Sequence, residues 1–250
     1  MIHVPTAPWA HTILDLLAWA AGAATGTALY RWRLRGLTGE VTAKVGRGYF
    51  VALALGAGIG MWLVGSLNTL RADVPTLSHS VAGALAGAIV AVEIYKAARG
   101  IRGSTGGIFV GSLAAGIVVG RFGCFFAGLP DGTFGIRTTL PWGVDFGDGV
   151  ARHPVQLYES AAMALFLLAY LLALRDRRPW ALRRAFYVMC VWYGLQRFAW
   201  EFLKPYPPLF ASINVFHVLC AGLVIYGCVL AVADSRRCAV PVPRPDDQPV

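Results

Sequence analysis

The stretch GGIFVGSLAAGIVVGRFGCFFA, residues 106–127, is small or apolar at every position except Ser112 and Arg121. As a helix rising about 1.5 Å per residue, 22 residues are long enough to cross the roughly 30 Å hydrocarbon core of a bilayer. The segment GLPDGTFG that follows (128–135) breaks out of it through glycines, a proline and an aspartate. Six further stretches of similar length and character lie outward from it, at about 9–31, 49–67 and 78–98 before it and 155–174, 184–203 and 213–233 after it. None shows the alternating ten-residue pattern of a membrane barrel. The chain has 57% hydrophobic and 14% charged residues, a balance too apolar for a soluble domain of 250 residues. The expected fold is an all-α polytopic membrane protein with about seven transmembrane helices.

The net charge of +9 could suggest nucleic acid, but the basic residues are distributed otherwise. Sixteen of the 22 Lys and Arg fall in alternate connections: Arg31 to Arg47, Lys96 to Arg102, Arg175 to Arg184 and Arg236 to Arg244. The opposite connections hold only Arg71, Arg137, Arg152 and Lys204. By the positive-inside rule, this pattern puts the N-terminus outside and the C-terminus in the cytoplasm. Basicity therefore reports topology, and nucleic acid is not an expected partner. The N-terminus lacks a basic region ahead of its first apolar run, which reads as a retained span and not a signal peptide. A single membrane domain is expected over 1–237, with a long outer loop at 129–154 and a disordered cytoplasmic tail at 238–250, where PVPRPDDQPV (241–250) is polar and proline-rich. The runs GAGIG (56–60) and VAGALAGAIVA (81–91) suit close helix packing. Cys124, Cys190, Cys220, Cys228 and Cys238 show no C-x-x-C spacing, so their sequence positions imply neither a disulfide framework nor a zinc site.

Two arginines remain inside spans, Arg121 and Arg197, and such groups are costly enough to need a partner or a task. Counted from the cytoplasmic ends of their spans, both lie in the outer third of the membrane. His153, Gln156, Tyr158 and Glu159, in the string HPVQLYE, occupy the first turns of a span entering from outside, at the same level. His79 opens another such span. Tyr193, Arg197 and Glu201 are spaced i, i+4, i+8 and share one helix face. One reading is mutual neutralisation, Arg197 with Glu201 and Arg121 with Glu159. The other is an anion site, since a guanidinium presents a planar fork suited to phosphate and stays charged. A lipid headgroup is already at that depth. Glu93 lies one turn from Lys96 and reads as an ion pair.

Three strings in this order on three successive spans, GRFGCFFAG (120–128), RHPVQLYE (152–159) and YGLQRFAWEF (193–202), resemble the prolipoprotein diacylglyceryl transferase family. The resemblance implies an inner-membrane enzyme, with its active site toward the outer leaflet, that moves the diacylglyceryl group of phosphatidylglycerol to the lipobox cysteine of a prolipoprotein signal peptide. A thioether forms, glycerol 1-phosphate leaves, and no cofactor is implied. Arg121 and Arg197 match the family arginines and would stabilise the departing phosphate; Tyr193 matches its tyrosine and Glu201 its following acid. His153, Gln156, Tyr158 and Glu159 would contact the headgroup or support the site. Gly120, Gly123, Gly128 and Gly135 would admit lipid or bend the exit of the span. The sequence also departs from the family pattern. Cys124, Ala127 and Leu129 stand where asparagines and an acid are expected, and Ala82 stands where a histidine would assist the thiol, leaving His79 one turn earlier as a substitute. These departures favour an alternative, a non-catalytic protein that binds or moves anionic phospholipid.

Overall fold

A computed structural model describes residues 2–35, 45–70 and 77–239. The chain forms helices α1 (Trp9–Leu29, prolonged by a π-helical turn at Tyr30–Leu34), α2 (Arg47–Thr69), α3 (Val81–Ala98), α4 (Val110–Ala127), α5 (Val155–Arg175), the short α6 (Pro179–Arg183), α7 (Ala185–Glu201) and α8 (Val215–Ala239). Among the described residues six helices are long and apolar enough to cross a membrane: α1, α2, α3, α4 with its preceding 3-10 turn, α5 and α8. The remaining expected span is α7, only 17 residues long and carrying Arg197 and Glu201. Residues 240–250, expected as part of a disordered tail, lie outside the described residues.

The helices pack in pairs, α1 on α4, α2 on α3 and α7 on α8, with α5 against both α4 and α7. Large apolar side chains cover the perimeter: Trp19 is 79% exposed, Ile94 66% and Ile225 63%. The centre holds Arg121, Glu159, Arg197, Glu201 and Lys204, all buried. An apolar exterior around a charged interior is stable where the surrounding solvent is hydrocarbon.

Small residues let α2 and α3 touch backbone to backbone. A Cβ at Gly60 would stand 2.3 Å from the Gly83 carbonyl oxygen, and one at Gly83 would stand 2.4 Å from the Gly60 carbonyl oxygen. Neither backbone can yield locally. Gly60→Val is therefore expected to push the helices apart and destabilise the protein by about 1–3 kcal/mol, as overpacking does elsewhere. Gly58→Val, where a Cβ meets nothing within 4 Å, should be near neutral. Thermal unfolding of both variants in detergent checks the contrast.

Three local devices aim the segments that carry the site. The Ser80 hydroxyl caps α3 by accepting from the Gly83 N–H at 3.2 Å. Gly128 ends α4 at φ +73°, a backbone state that disfavours any side chain, with the Thr6 side chain packed where its Cβ would be. Beyond it a turn at Leu129–Asp131 leads into the 129–154 connection, which folds back against the N-terminus: strand β1 (Ile2–His3) pairs in parallel with β2 (Val144–Asp145). The Asp145 carboxylate accepts from the backbone N–H groups of Gly147 (2.9 Å), Asp148 (3.1 Å) and Gly149 (2.9 Å) and lies 3.0 Å from His3 Nδ1. Those backbone donors, Gly147 foremost, hold its pKa below the usual carboxylate value. Asp148, hydrogen-bonded to the Arg152 guanidinium, is lowered to about 2.

Candidate active site

Four charged side chains on three helices, and a fifth just past α7, converge on one buried layer. Glu159 of α5 sits at its centre. Arg121 Nε of α4 lies 2.5 Å from Glu159 Oε2, Arg197 Nη1 of α7 lies 3.2 Å from both carboxylate oxygens, and Lys204 Nζ lies 2.7 Å from Oε1. Arg197 Nε is 2.7 Å from Glu201 Oε1, one turn on, but out of line for a hydrogen bond, so that contact is an ion pair alone. Lys204 also reaches Glu201, at 3.5 Å. Both pairings anticipated from sequence are present, and they are fused: the arginines share Glu159.

Three cations against two carboxylates leave the layer with one surplus positive charge. Removing several charges from water is expensive and is repaid only where geometry and hydrogen bonding are good. A surplus cation in such a place attracts an anion. Neither guanidinium uses all five of its N–H donors on these carboxylates.

Arg121 and Arg197 line a cavity of about 570 Å³, together with Gly120, Cys124, His79 and His11. Next to it lies a second cavity of about 210 Å³, apolar apart from Glu93 and a few hydroxyls, to which Tyr193 contributes. The two share Val81, Phe109, Leu113 and Ile117 in their walls, so a polar compartment adjoins an apolar one. The expected Glu93–Lys96 pair is present at 2.8 Å, and the Tyr226 hydroxyl donates to the same carboxylate at 2.9 Å.

Other residues singled out from sequence lie elsewhere. His79 is exposed and edges the polar cavity, its ring 5.8 Å from that of Trp62 and 6.3 Å from that of His11. Gly123 faces α1, where a Cβ would meet Leu14 at 3.2 Å, Gly128 shapes the turn after α4, and Gly135 packs against His153, whose carbonyl oxygen a Cβ would meet at 2.5 Å; none of the three lines either cavity. His153 and Tyr158 contact each other at 3.4 Å, and Trp142 Nε1 donates to the Tyr158 hydroxyl at 2.8 Å, so this part of the string clasps the outer loop to α5. Gln156 is buried, with no hydrogen-bond partner for its amide among the described residues. Ala82, at the position of the expected histidine, is fully enclosed.

Sequence reasoning missed Lys204, taken there for an ordinary loop residue. Its spacing offered a signal, because 197, 201 and 204 continue one helical face. It also missed Asn214, which donates to Glu201 Oε2 at 3.3 Å while accepting from the His217 N–H at the start of α8. His11, Asp15 and Asp131 were missed as well. His11 Nδ1 is 3.0 Å from Asp15 Oδ2, and its Nε2 is 3.1 Å from Asp131 Oδ1. Burial works against the Asp131 carboxylate, yet the hydrogen bonds to His11 and Thr133 outweigh it and hold its pKa below the ordinary value.

Fold and site together define a polytopic α-helical membrane protein built around a buried, net-cationic charge layer beside a split polar and apolar cavity. Residues 16–233 match the family model for prolipoprotein diacylglyceryl transferase, and the chain belongs to that family. Curated relatives named phosphatidylglycerol–prolipoprotein diacylglyceryl transferase include one from Solidesulfovibrio magneticus, 38% identical over 45% of this chain and 44% of its own length. Another, from Methylococcus capsulatus, is 34% identical over 63% of this chain and 62% of its own. A third, from Nitratidesulfovibrio vulgaris, is 31% identical over 76% of each. The chain thus spans about half the length of the first of the relatives it matches. No solved structure matches it.

Proposed function

We propose that the chain transfers the diacylglyceryl group of phosphatidylglycerol to the lipobox cysteine thiol of prolipoprotein signal peptides, forming a thioether and releasing glycerol 1-phosphate. The observation that supports this most is the fused Arg121–Glu159–Arg197 cluster, one positive charge in surplus, beside the polar cavity. A phosphodiester headgroup carries one negative charge and complements that surplus. The free guanidinium donors of Arg121 and Arg197 take the phosphate oxygens, and an acyl chain runs into the adjoining apolar cavity. As the cysteine sulfur attacks the glyceryl carbon, the bond from that carbon to the phosphate oxygen breaks and negative charge grows on the leaving phosphate. Fixed cations in a site shielded from bulk water act on that charge most strongly. Glu159 and Glu201 hold both guanidiniums in place before substrate arrives, so little reorganisation is needed during the reaction.

The bias of basic residues supports an orientation with the N-terminus and the 129–154 connection outside and the C-terminus in the cytoplasm, and in this reading the membrane is a bacterial inner membrane. The polar cavity then opens toward the outer leaflet, where both lipid and signal peptide are available. One observation favours a second reading: Ala82 offers no base, as suits a protein that binds or moves anionic phospholipid without chemistry. Complementation of a transferase-depleted bacterium separates the two. Rescue, with the diacylglyceryl thioether found by mass spectrometry on a lipobox peptide, is the expected result. Membrane expression without rescue or thioether would favour lipid binding alone.

A further inference from the structure

Three donor atoms from separate elements meet at the α1 side of the polar cavity. His11 Nε2 of α1 lies 3.8 Å from Cys124 Sγ of α4 and 3.1 Å from Asp131 Oδ1 of the turn after α4. All three atoms lie within 4.8 Å of one another. A tetrahedral divalent ion bonded at about 2.0–2.3 Å to nitrogen, oxygen and sulfur spaces its ligands roughly 3.2–3.8 Å apart. Of the two measured separations, 3.8 Å lies at the upper end of that spacing and 3.1 Å just below its lower end.

The surroundings of the trio are those of a metal site. Metal-bound imidazoles commonly donate their second nitrogen to a carboxylate, which fixes tautomer and ring orientation. On the corresponding side of the ring, His11 Nδ1 lies 3.0 Å from a carboxylate oxygen of Asp15, on the next turn of α1, an ion-pair distance. The second oxygen of Asp131 accepts from the Thr133 hydroxyl, and Arg121 Nη1 points at Cys124 Sγ from 3.7 Å, as a donor to a thiolate would. Each ligand is thus oriented from behind by another side chain. His11, Asp15, Cys124, Asp131 and Thr133 all line the cavity, so a fourth coordination position faces open space. A thiolate and a carboxylate would neutralise a divalent cation, with a neutral imidazole as the third ligand.

We propose that His11, Cys124 and Asp131 bind a divalent metal ion of the zinc class, with one position open to the cavity beside Arg121. The role of the open position rests on the transferase reading; the site itself does not. In that reading the acceptor thiol displaces a metal-bound hydroxide, which leaves as water with the thiol proton. The metal-held thiolate then attacks the glyceryl carbon, and the phosphate departs with the electron pair of the broken C–O bond. A coordinating thiol is deprotonated by the metal itself, which supplies what Ala82 cannot.

The test uses the full chain, purified in detergent without chelator. Zinc by plasma mass spectrometry is expected at one equivalent. Cobalt(II) added to stripped protein is expected to give a thiolate-to-cobalt charge-transfer band that is absent in Cys124→Ser. His11→Ala and Asp15→Asn should weaken cobalt binding, the latter by about 10–100-fold as for other supporting carboxylates. The proposal is overturned if monodisperse, helical wild-type protein takes up neither metal, or if the cobalt spectrum is unchanged in Cys124→Ser. Metal uptake without thioether product would keep the site and reject the transferase reading. Undiminished thioether formation by metal-stripped protein would keep that reading and overturn the metal's part in it.

Discussion

Glu159→Gln is expected to cost this protein both its stability and its activity. The substitution preserves shape but removes the only carboxylate among the described residues that touches Arg121, Arg197 and Lys204 together. Glu201 still faces Arg197 and Lys204, whereas Arg121 loses its sole carboxylate partner among the described residues. Breaking a buried ion pair from one side costs about 3–5 kcal/mol, because the uncompensated charge stays buried. For a domain of this size that corresponds to a fall in midpoint temperature on the order of 10 °C. Thermal unfolding in detergent, followed by tryptophan fluorescence, reads the first effect, and thioether formation on a lipobox peptide reads the second. A midpoint within a degree or two of wild type would show that Glu159 does not hold the layer together.

Arg121→Ala is expected to do the reverse, removing turnover while sparing the fold. Glu159 keeps Arg197 and Lys204 as partners when Arg121 is cut away, so no buried carboxylate is left bare. The cavity wall loses one of its two guanidiniums, which in the proposed reaction would face the developing phosphate charge. Deleting one such preorganised donor typically lowers turnover by about 10²–10³-fold. Arg197→Ala should lose at least as much activity, with a larger stability loss, because Arg197 bridges both carboxylates. Arg177→Ala, an exposed change in the turn after α5, is the control and should match wild type. Arg121→Lys is informative too: an ammonium restores charge but not the bidentate fork, so it should recover only part of the rate. Equal turnover in the Arg121→Ala, Arg197→Ala and Arg177→Ala variants would remove the anion site.

The two arginines show how much of the site was legible in sequence. Their cost in an apolar span marked them as functional or paired, and counting residues from the span ends put them at one depth. Helical spacing joined Tyr193, Arg197 and Glu201 on one face, and Arg197–Glu201 contact follows from it. That Glu159 would serve both arginines was not legible, since it depends on how α4, α5 and α7 are rotated about their axes. Periodicity is weak in helices that are apolar nearly all round, so it gives little hint of rotation. The same limit left the string HPVQLYE undivided: Glu159 faces the charge layer, while His153 and Tyr158 face the outer loop.

The sequence by itself determined that this chain is a bundle of membrane-length helices, that its charge bias has a preferred direction, and that three strings tie it to a transferase family. Each of these rests on local composition, run length and spacing, which a single chain displays in order. Only the tertiary structure decided which polar groups meet. Lys204 joins the layer because one more turn past α7, closed by its own N–H on the Glu201 carbonyl at 3.2 Å, carries it to Glu159 on the neighbouring α5. His11, Cys124 and Asp131 come together across more than a hundred residues because α1 lies along α4 and the Gly128 turn brings Asp131 back over both. No spacing rule anticipates such a meeting, because it is set by how the helices pack and not by any run of neighbouring residues.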